Sequence, residues 1–127
     1  MAARSPEEMV GDWEKMINAG DLEAVLAFYE PDAVAVLPKA EGGPVRGRDD
    51  GVRQVLEQFL ALKPTFNNVL NRRTEAGEVA LIVGDWSLEG TGPDGSPVTM
   101  NGRFRDVLHR QPDGSWLIAI DNPFGDD

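Results

Sequence analysis

The sequence predicts an α+β fold in which helices from the first half of the chain cover an antiparallel sheet built from the second. Two observations carry this. Apolar residues recur at helical spacing through most of the first 63 positions, and from residue 65 onward they alternate along long runs separated by turn signals. Helices first and strands afterwards is the pattern of an α+β layer arrangement.

The first helix starts at Ser5, an N-cap, with Pro6 at the first helical position and Glu8 completing a capping box. Met9, Trp13, Met16 and Ile17 follow at helical spacing, and Gly20 is a C-terminal stop. Asp21 caps a second helix with Leu22, Val25, Leu26 and Tyr29 on one face, which Pro31 ends or turns. Val34 to Leu37 reads as a short apolar strand. The stretch from Pro38 to Arg48 holds too many Pro and Gly residues for regular structure. A third helix begins near Asp49 or Asp50, carries Val52, Val55, Leu56, Phe59 and Leu60 on one face, and stops at Pro64. Strands are expected at about 65–74, 79–89, 98–110 and 115–121, joined as a meander by Gly-containing turns. With no repeat and no linker, residues 1–127 read as one domain.

Composition narrows the function. A net charge of -10 argues against nucleic acid and against an anionic membrane surface. Cysteine is absent, which removes disulfides, thiolate metal sites and cysteine nucleophiles. No apolar run approaches the length of a membrane span, and Glu7 and Glu8 stand where a signal peptide needs basic then apolar residues. A cytoplasmic protein is therefore expected. The Gly-rich loop lacks the strand-to-helix phosphate pattern, and no Gly-x-Ser-x-Gly elbow is present, so neither a nucleotide cofactor nor a nucleophilic triad is expected. No cofactor and no metal site are anticipated.

One acidic residue stands out. Alternate positions Val98, Met100, Gly102, Phe104, Asp106, Leu108 and Arg110 share one strand face, and as far as Leu108 that face is apolar except for Asp106. An ionised carboxylate there is costly unless it is paired, hydrogen-bonded or neutralised by a raised pKa. His109, Arg103 and Arg105 fall on the opposite parity, which suits surface or interface roles. The last strand is apolar on both parities, which suggests that its second face is covered as well, most simply by another copy of the chain.

Asn18-Ala19-Gly20-Asp21-Leu22, then Phe28-Tyr29-Glu30-Pro31-Asp32-Ala33-Val34, resembles the opening of the nuclear transport factor 2-like superfamily. Gly47-Arg48 before the third helix and the ending Asp106-Val107-Leu108-His109-Arg110 … Asp113-Gly114-Ser115-Trp116 extend the match over nearly the whole chain. Within the superfamily it is most similar to the ketosteroid-isomerase-like and SnoaL-like polyketide-cyclase branch. The resemblance implies a cone-shaped, cystatin-like roll: three helices against a curved antiparallel sheet, an internal pocket and a homodimer. The fold hosts many activities, so it implies less about function.

By that resemblance Trp13 takes the place of an oxyanion-hole tyrosine, and Asp106 that of an acid kept protonated by an apolar site. Such a neutral carboxylic acid in ketosteroid isomerase is itself a standard example of pKa tuning. The general base falls on Leu37, which transfers no proton, so ketosteroid isomerisation is not expected. Alignment also turns Val79, Leu81, Val83, Asp85 and Ser87 inward, together with Asp121, Leu117 and Ala119. Asp85, Asp106 and Asp121 are thus candidate catalytic acids. Trp13, Tyr29, Phe59, Val83 and Phe104 are candidate ligand-binding residues, bordering a cavity expected to measure several hundred cubic ångströms. The expected function is a domain holding an apolar, polycyclic or other small ligand with polar handles. The alternatives are an acid–base enzyme (isomerase, cyclase, dehydratase or epoxide hydrolase) and a dimerisation module without ligand. The dimer is expected through the outer sheet face, where Trp86, Leu88, Ile118 and Ile120 would otherwise meet water.

Overall fold

A computed structural model describes residues 3–125. Helices α1 (Pro6–Asn18), α2 (Leu22–Leu26) and α3 (Arg53–Leu60) pack on six strands: β1 (Tyr29–Val36), β2 (Pro44–Arg46), β3 (Thr65–Ala76), β4 (Val79–Thr91), β5 (Pro97–Arg110) and β6 (Trp116–Asp121). The strand order is β2-β1-β6-β5-β4-β3, antiparallel throughout except for the parallel β1–β6 pair. The sheet is curved but not closed, and the core lies between its concave face and the helices. The α+β expectation holds.

Local chemistry explains the element ends. The Ser5 hydroxyl accepts from the Glu8 backbone N–H at 3.1 Å, while the Glu8 carboxylate reaches back to the Arg4 N–H at 3.2 Å, one residue beyond the position a capping box requires. Gly20 takes φ +74°, the left-handed conformation that ends a helix. Asp21 Oδ1 caps α2 by accepting from the Ala24 N–H at 3.1 Å.

Three elements differ from the sequence expectation. Helix α2 ends before Tyr29, which opens β1, so Pro31 lies within a strand and not at a helix stop. The register between β1 and β6 breaks between Tyr29 and Val34, and Pro31 sits in that irregular stretch, where no ladder N–H is required of it. The Pro- and Gly-rich segment holds a short 3-10 turn (Lys39–Glu41) and strand β2, paired with β1 through Val34, Ala35 and Val36. The third helix enters through a π-helical turn, Gly47–Val52, before its α-helical part.

Strand irregularities shape the sheet. Register shifts occur in β3 between Leu70 and Arg72, and in β6, where Val107 pairs with Ile120 but Leu108 pairs with Ile118. Ala119 is thus the extra residue of a bulge. Bulges bend the strand and increase its twist, which is how a flat ladder becomes a concave wall. At the edge strand β3, the Asn18 side chain stands in for a missing neighbour. Its amide donates to the Phe66 carbonyl (3.0 Å) and its oxygen accepts from the Phe66 N–H (2.7 Å).

The outer face corrects the proposed reason for a dimer. Trp86, Leu88 and Ile118 are buried against the helices, so they need no partner chain. Of the four residues invoked, only Ile120 faces outward, at 39% exposure. No helix among the described residues is long and apolar enough to cross a membrane.

Candidate functional site

Between the concave side of the sheet and helices α1 and α3 lies a pocket. Helix α1 contributes Met9 and Trp13, α3 contributes Val55, Leu56 and Phe59, and the sheet contributes Tyr29, Phe66, Trp86, Phe104 and Ile118. Aromatic edges meet aromatic faces around it: Trp13–Phe66 at 5.2 Å, Phe59–Phe66 at 5.8 Å and Phe59–Trp86 at 6.3 Å between ring centroids. The cavity volume is about 60 Å³, well under the several hundred expected from sequence. A void of that size holds a few waters or a small organic group, whereas a cavity of roughly 150 Å³ is known to admit benzene. Trp86, which the sequence reading placed on the outer face, and Phe66 are large side chains that line the pocket.

Two acids mark the polar end of the pocket. Asp106 is buried, 8% exposed, and Asp121 is partly buried beside it. Tyr29 donates its hydroxyl proton to Asp121 Oδ2 at 2.6 Å and accepts the Trp13 indole N–H at 3.1 Å. Asp106 Oδ1 accepts the Asn122 backbone N–H at 2.7 Å. Both carboxyl groups line the same pocket, close enough for the Asp121 charge to act on Asp106.

Burial pushes the Asp106 carboxyl well above the usual carboxylate range, the Asp121 charge adds to the push, and the Asn122 N–H opposes it. Burial also raises Asp121, while its hydrogen bond from Tyr29 opposes that rise. Raised together by burial, the two acids titrate as a pair. Burial beside Asp121 keeps the Tyr29 phenol neutral far into the alkaline range.

Trp13, Tyr29, Phe59, Phe104, Asp106 and Asp121 border the pocket as the sequence suggested. Val83 and Asp85 do not. On β4 the inward parity is Ala80, Ile82, Gly84, Trp86 and Leu88, which leaves Asp85 on the outer face with its side chain half exposed. There Asp85 accepts from the Asn71 amide (2.8 Å) and the Arg103 guanidinium (3.2 Å), contacts that hold its pKa below the ordinary value. It is a surface ion-pair partner and cannot join the other two acids. Leu37 lies outside the pocket, so no acid fills the place of the isomerase base. His109 sits on the outer face, with Nδ1 at 2.7 Å from Glu30 Oε1.

Sequence reasoning missed most of the apolar lining, and with it Phe66, Asn68, Trp86 and Pro123. The signal for Trp86 was present, because its parity on β4 contains no polar residue while the other ends in Asp85, Ser87 and Glu89. Pro123 belongs to the segment after β6, which continues along β5: the Arg105 N–H donates to the Asn122 carbonyl, and the Gly125 N–H to the Arg103 carbonyl. The Trp86 indole N–H donates to the Pro123 carbonyl at 2.6 Å, and Phe124 packs edge-on against the same ring. Nothing in local sequence pattern announces that return. Among the described residues, no group of three or more acids or histidines is placed to hold a metal.

A curved sheet wrapped by helices around a pocket with buried acids is the architecture of the nuclear transport factor 2-like folds. The chain belongs to the SnoaL-like domain family, whose profile matches residues 10–118. No curated protein matches it in sequence. Among solved structures it is similar to a conserved protein from Planctomyces limnophilus (14% identity, TM-score 0.81, covering 93% of this chain and 91% of that one). It is also similar to a candidate scytalone dehydratase from Novosphingobium aromaticivorans (15% identity, TM-score 0.79, 94% and 80% covered). A third is a nuclear transport factor 2-like protein of unknown function from Shewanella oneidensis (18% identity, TM-score 0.74, 91% and 93% covered). At these identities the likeness is one of fold.

Proposed function

We propose that this protein binds a small, largely apolar molecule in the cone and fixes its polar handle against the Asp106–Asp121 pair. The observation that carries this reading is the placement of two acids, Asp106 buried and Asp121 partly buried, in one otherwise largely apolar, aromatic-walled cavity. Burying two carboxyl groups is expensive, and a core without a ligand role is more stable with apolar residues at such positions. The test is binding of small neutral molecules followed by the indole N–H resonances. Trp13 and Trp86 line the pocket and Trp116 does not. Isopropanol should shift the first two and spare the third. A Val55→Trp substitution that fills the cavity should abolish those shifts. Unmoved Trp13 and Trp86 signals with every small molecule tried would refute the reading.

A second reading, acid–base catalysis, is favoured by the protonation of the pair. Burial raises both acids, so the pair can keep a proton to give to an oxygen of the bound molecule and an oxygen to take one from carbon or water. Dehydration, cyclisation, isomerisation and epoxide opening all have that requirement. The naming of a similar fold as a candidate scytalone dehydratase agrees with a proton-transfer role but does not assign one to this chain.

A further inference from the structure

The polar atoms around the cavity divide unevenly into donors and acceptors. The Trp13 indole N–H is spent on Tyr29, the Tyr29 hydroxyl on Asp121, and the Trp86 indole N–H on the Pro123 carbonyl. Asp106 Oδ1 is itself an acceptor, taking the Asn122 backbone N–H at 2.7 Å. Asn68, on β3, carries the one lining side-chain N–H group outside this chain of bonds. The acceptor side is the reverse: a carboxylate offers about four lone-pair sites, and the pair as a whole retains unused ones. Lys, Arg and His are absent from the described residues that line the cavity. The remaining surface is the faces and edges of Trp13, Phe59, Phe66, Trp86 and Phe104. Aromatic faces attract cations and gain nothing from anions.

From this balance we infer that the molecule the pocket selects is a small protonated amine, held by its N–H donors on the Asp106–Asp121 pair and by its alkyl part against the aromatic walls. The inference rests on the pocket-binding reading above and adds the charge and hydrogen-bonding sense of the ligand. It shifts the emphasis from an Asp106 hydroxyl donating to a ligand oxygen toward the acceptor oxygens that dominate this end of the pocket. An anion of equal size would face the negative pair in a site without a counter-charge. A neutral alcohol would find acceptors for its one proton but no cation–π contribution.

The experiment compares isopropylamine, isopropanol and isobutyrate, similar in shape and differing in charge at neutral pH. Each is titrated at constant ionic strength against the intact chain, and affinity is read from the Trp13 and Trp86 indole resonances with Trp116 as internal control. Isopropylamine should bind at least about tenfold more tightly than isopropanol, equivalent to about 1.4 kcal/mol, and isobutyrate should not bind. Asp106→Asn leaves the Asp121 carboxyl group in the pocket and should keep the amine preference. A double substitution that adds Asp121→Asn removes the charge with little change of shape and should abolish it. Should the double variant not fold, the order of affinities in the unaltered chain decides alone. Isopropanol binding as tightly as the amine, or isobutyrate binding at all, overturns this inference while leaving the pocket reading intact. Binding of none of the three overturns both.

Discussion

Replacing Asp106 by Asn tests the electrostatics of the site without disturbing its geometry. The Asn carbonyl oxygen can accept the Asn122 N–H that Asp106 Oδ1 now accepts at 2.7 Å, and the amide keeps the shape of the carboxyl group. The difference is titration. Folding raises the Asp106 pKa above its ordinary value of 3.8, so the native state binds that proton more tightly than the unfolded chain. The wild-type carboxyl therefore favours folding below its unfolded pKa. That advantage is lost as pH rises through the raised folded pKa, above which an ion is buried at a cost. Each unit of upward displacement is worth about 1.4 kcal/mol. Urea unfolding of both proteins at pH 5 and pH 8 gives the comparison, with equal m-values as the check on a shared unfolding reaction. The Asn variant should gain on the wild type with rising pH, by on the order of 1 kcal/mol or more at pH 8. A wild type that gains on the variant over that interval would mean that Asp106 is an ionised partner in a structural pair, and the protonation argument would fall.

Removing the Tyr29 hydroxyl (Tyr29→Phe) takes the acceptor from the Trp13 indole and a donor from Asp121, and should cost about 1–3 kcal/mol in the same urea assay; an unchanged midpoint would show the network to be incidental. Gly84→Ala should cost about 3 kcal/mol, because a Cβ there overlaps the Val69 carbonyl oxygen and the Phe104 ring that lies over it. A loss under about 1 kcal/mol would mean that β3 and β5 can yield around that glycine. For assembly we keep the proposal of a homodimer through the outer face, now on different residues. Leu81, Val107 and Ile120 are cross-strand neighbours in one row, and Leu81 and Ile120 are 44% and 39% exposed. Sedimentation at micromolar concentration should show twice the chain mass, and Leu81→Arg should return it to the single chain; a wild type that sediments as one chain rules the interface out.

Elements with local chemistry of their own were legible in the sequence. Ser5, Pro6 and Gly20 delimit α1 because each acts within one turn of itself, and the period of Val52, Val55, Leu56, Phe59 and Leu60 is a property of the helix alone. Strand β2 was not legible. Three residues between Gly43 and Gly47 carry no pattern, and they become a strand only because β1 offers an open edge. Tyr29 was misread for a related reason. Its spacing from Val25 and Leu26 is helical, but its pairing with Ile118, nearly ninety residues later, places it in β1. Tertiary pairing overrides local period where a segment is short.

The site shows the same division more sharply, because inward and outward are decided by parity, and parity survives only along an unbroken strand. On β5 no bulge intervenes between Phe104 and Leu108, and Asp106 faces inward between them. On β4 the strand is equally regular, but both parities begin with apolar residues. The correct choice required weighing Asp85, Ser87 and Glu89 against Trp86 and Leu88 and not only Val79, Leu81 and Val83. On β6 a parity argument could not succeed in either sense. Trp116 and Ile118 face inward, Ala119 is the extra residue, Ile120 faces out, and Asp121 returns to the pocket. Placing Asp121 inward with Leu117 and Ala119 reached the right residue on the wrong face count. One added residue inverts every position beyond it. In this chain the inversion is what sets Asp121 beside Asp106: without the bulge at Ala119, Ile120 would follow Ile118 into the pocket, and Asp106 would meet an alkyl group instead of a second acid.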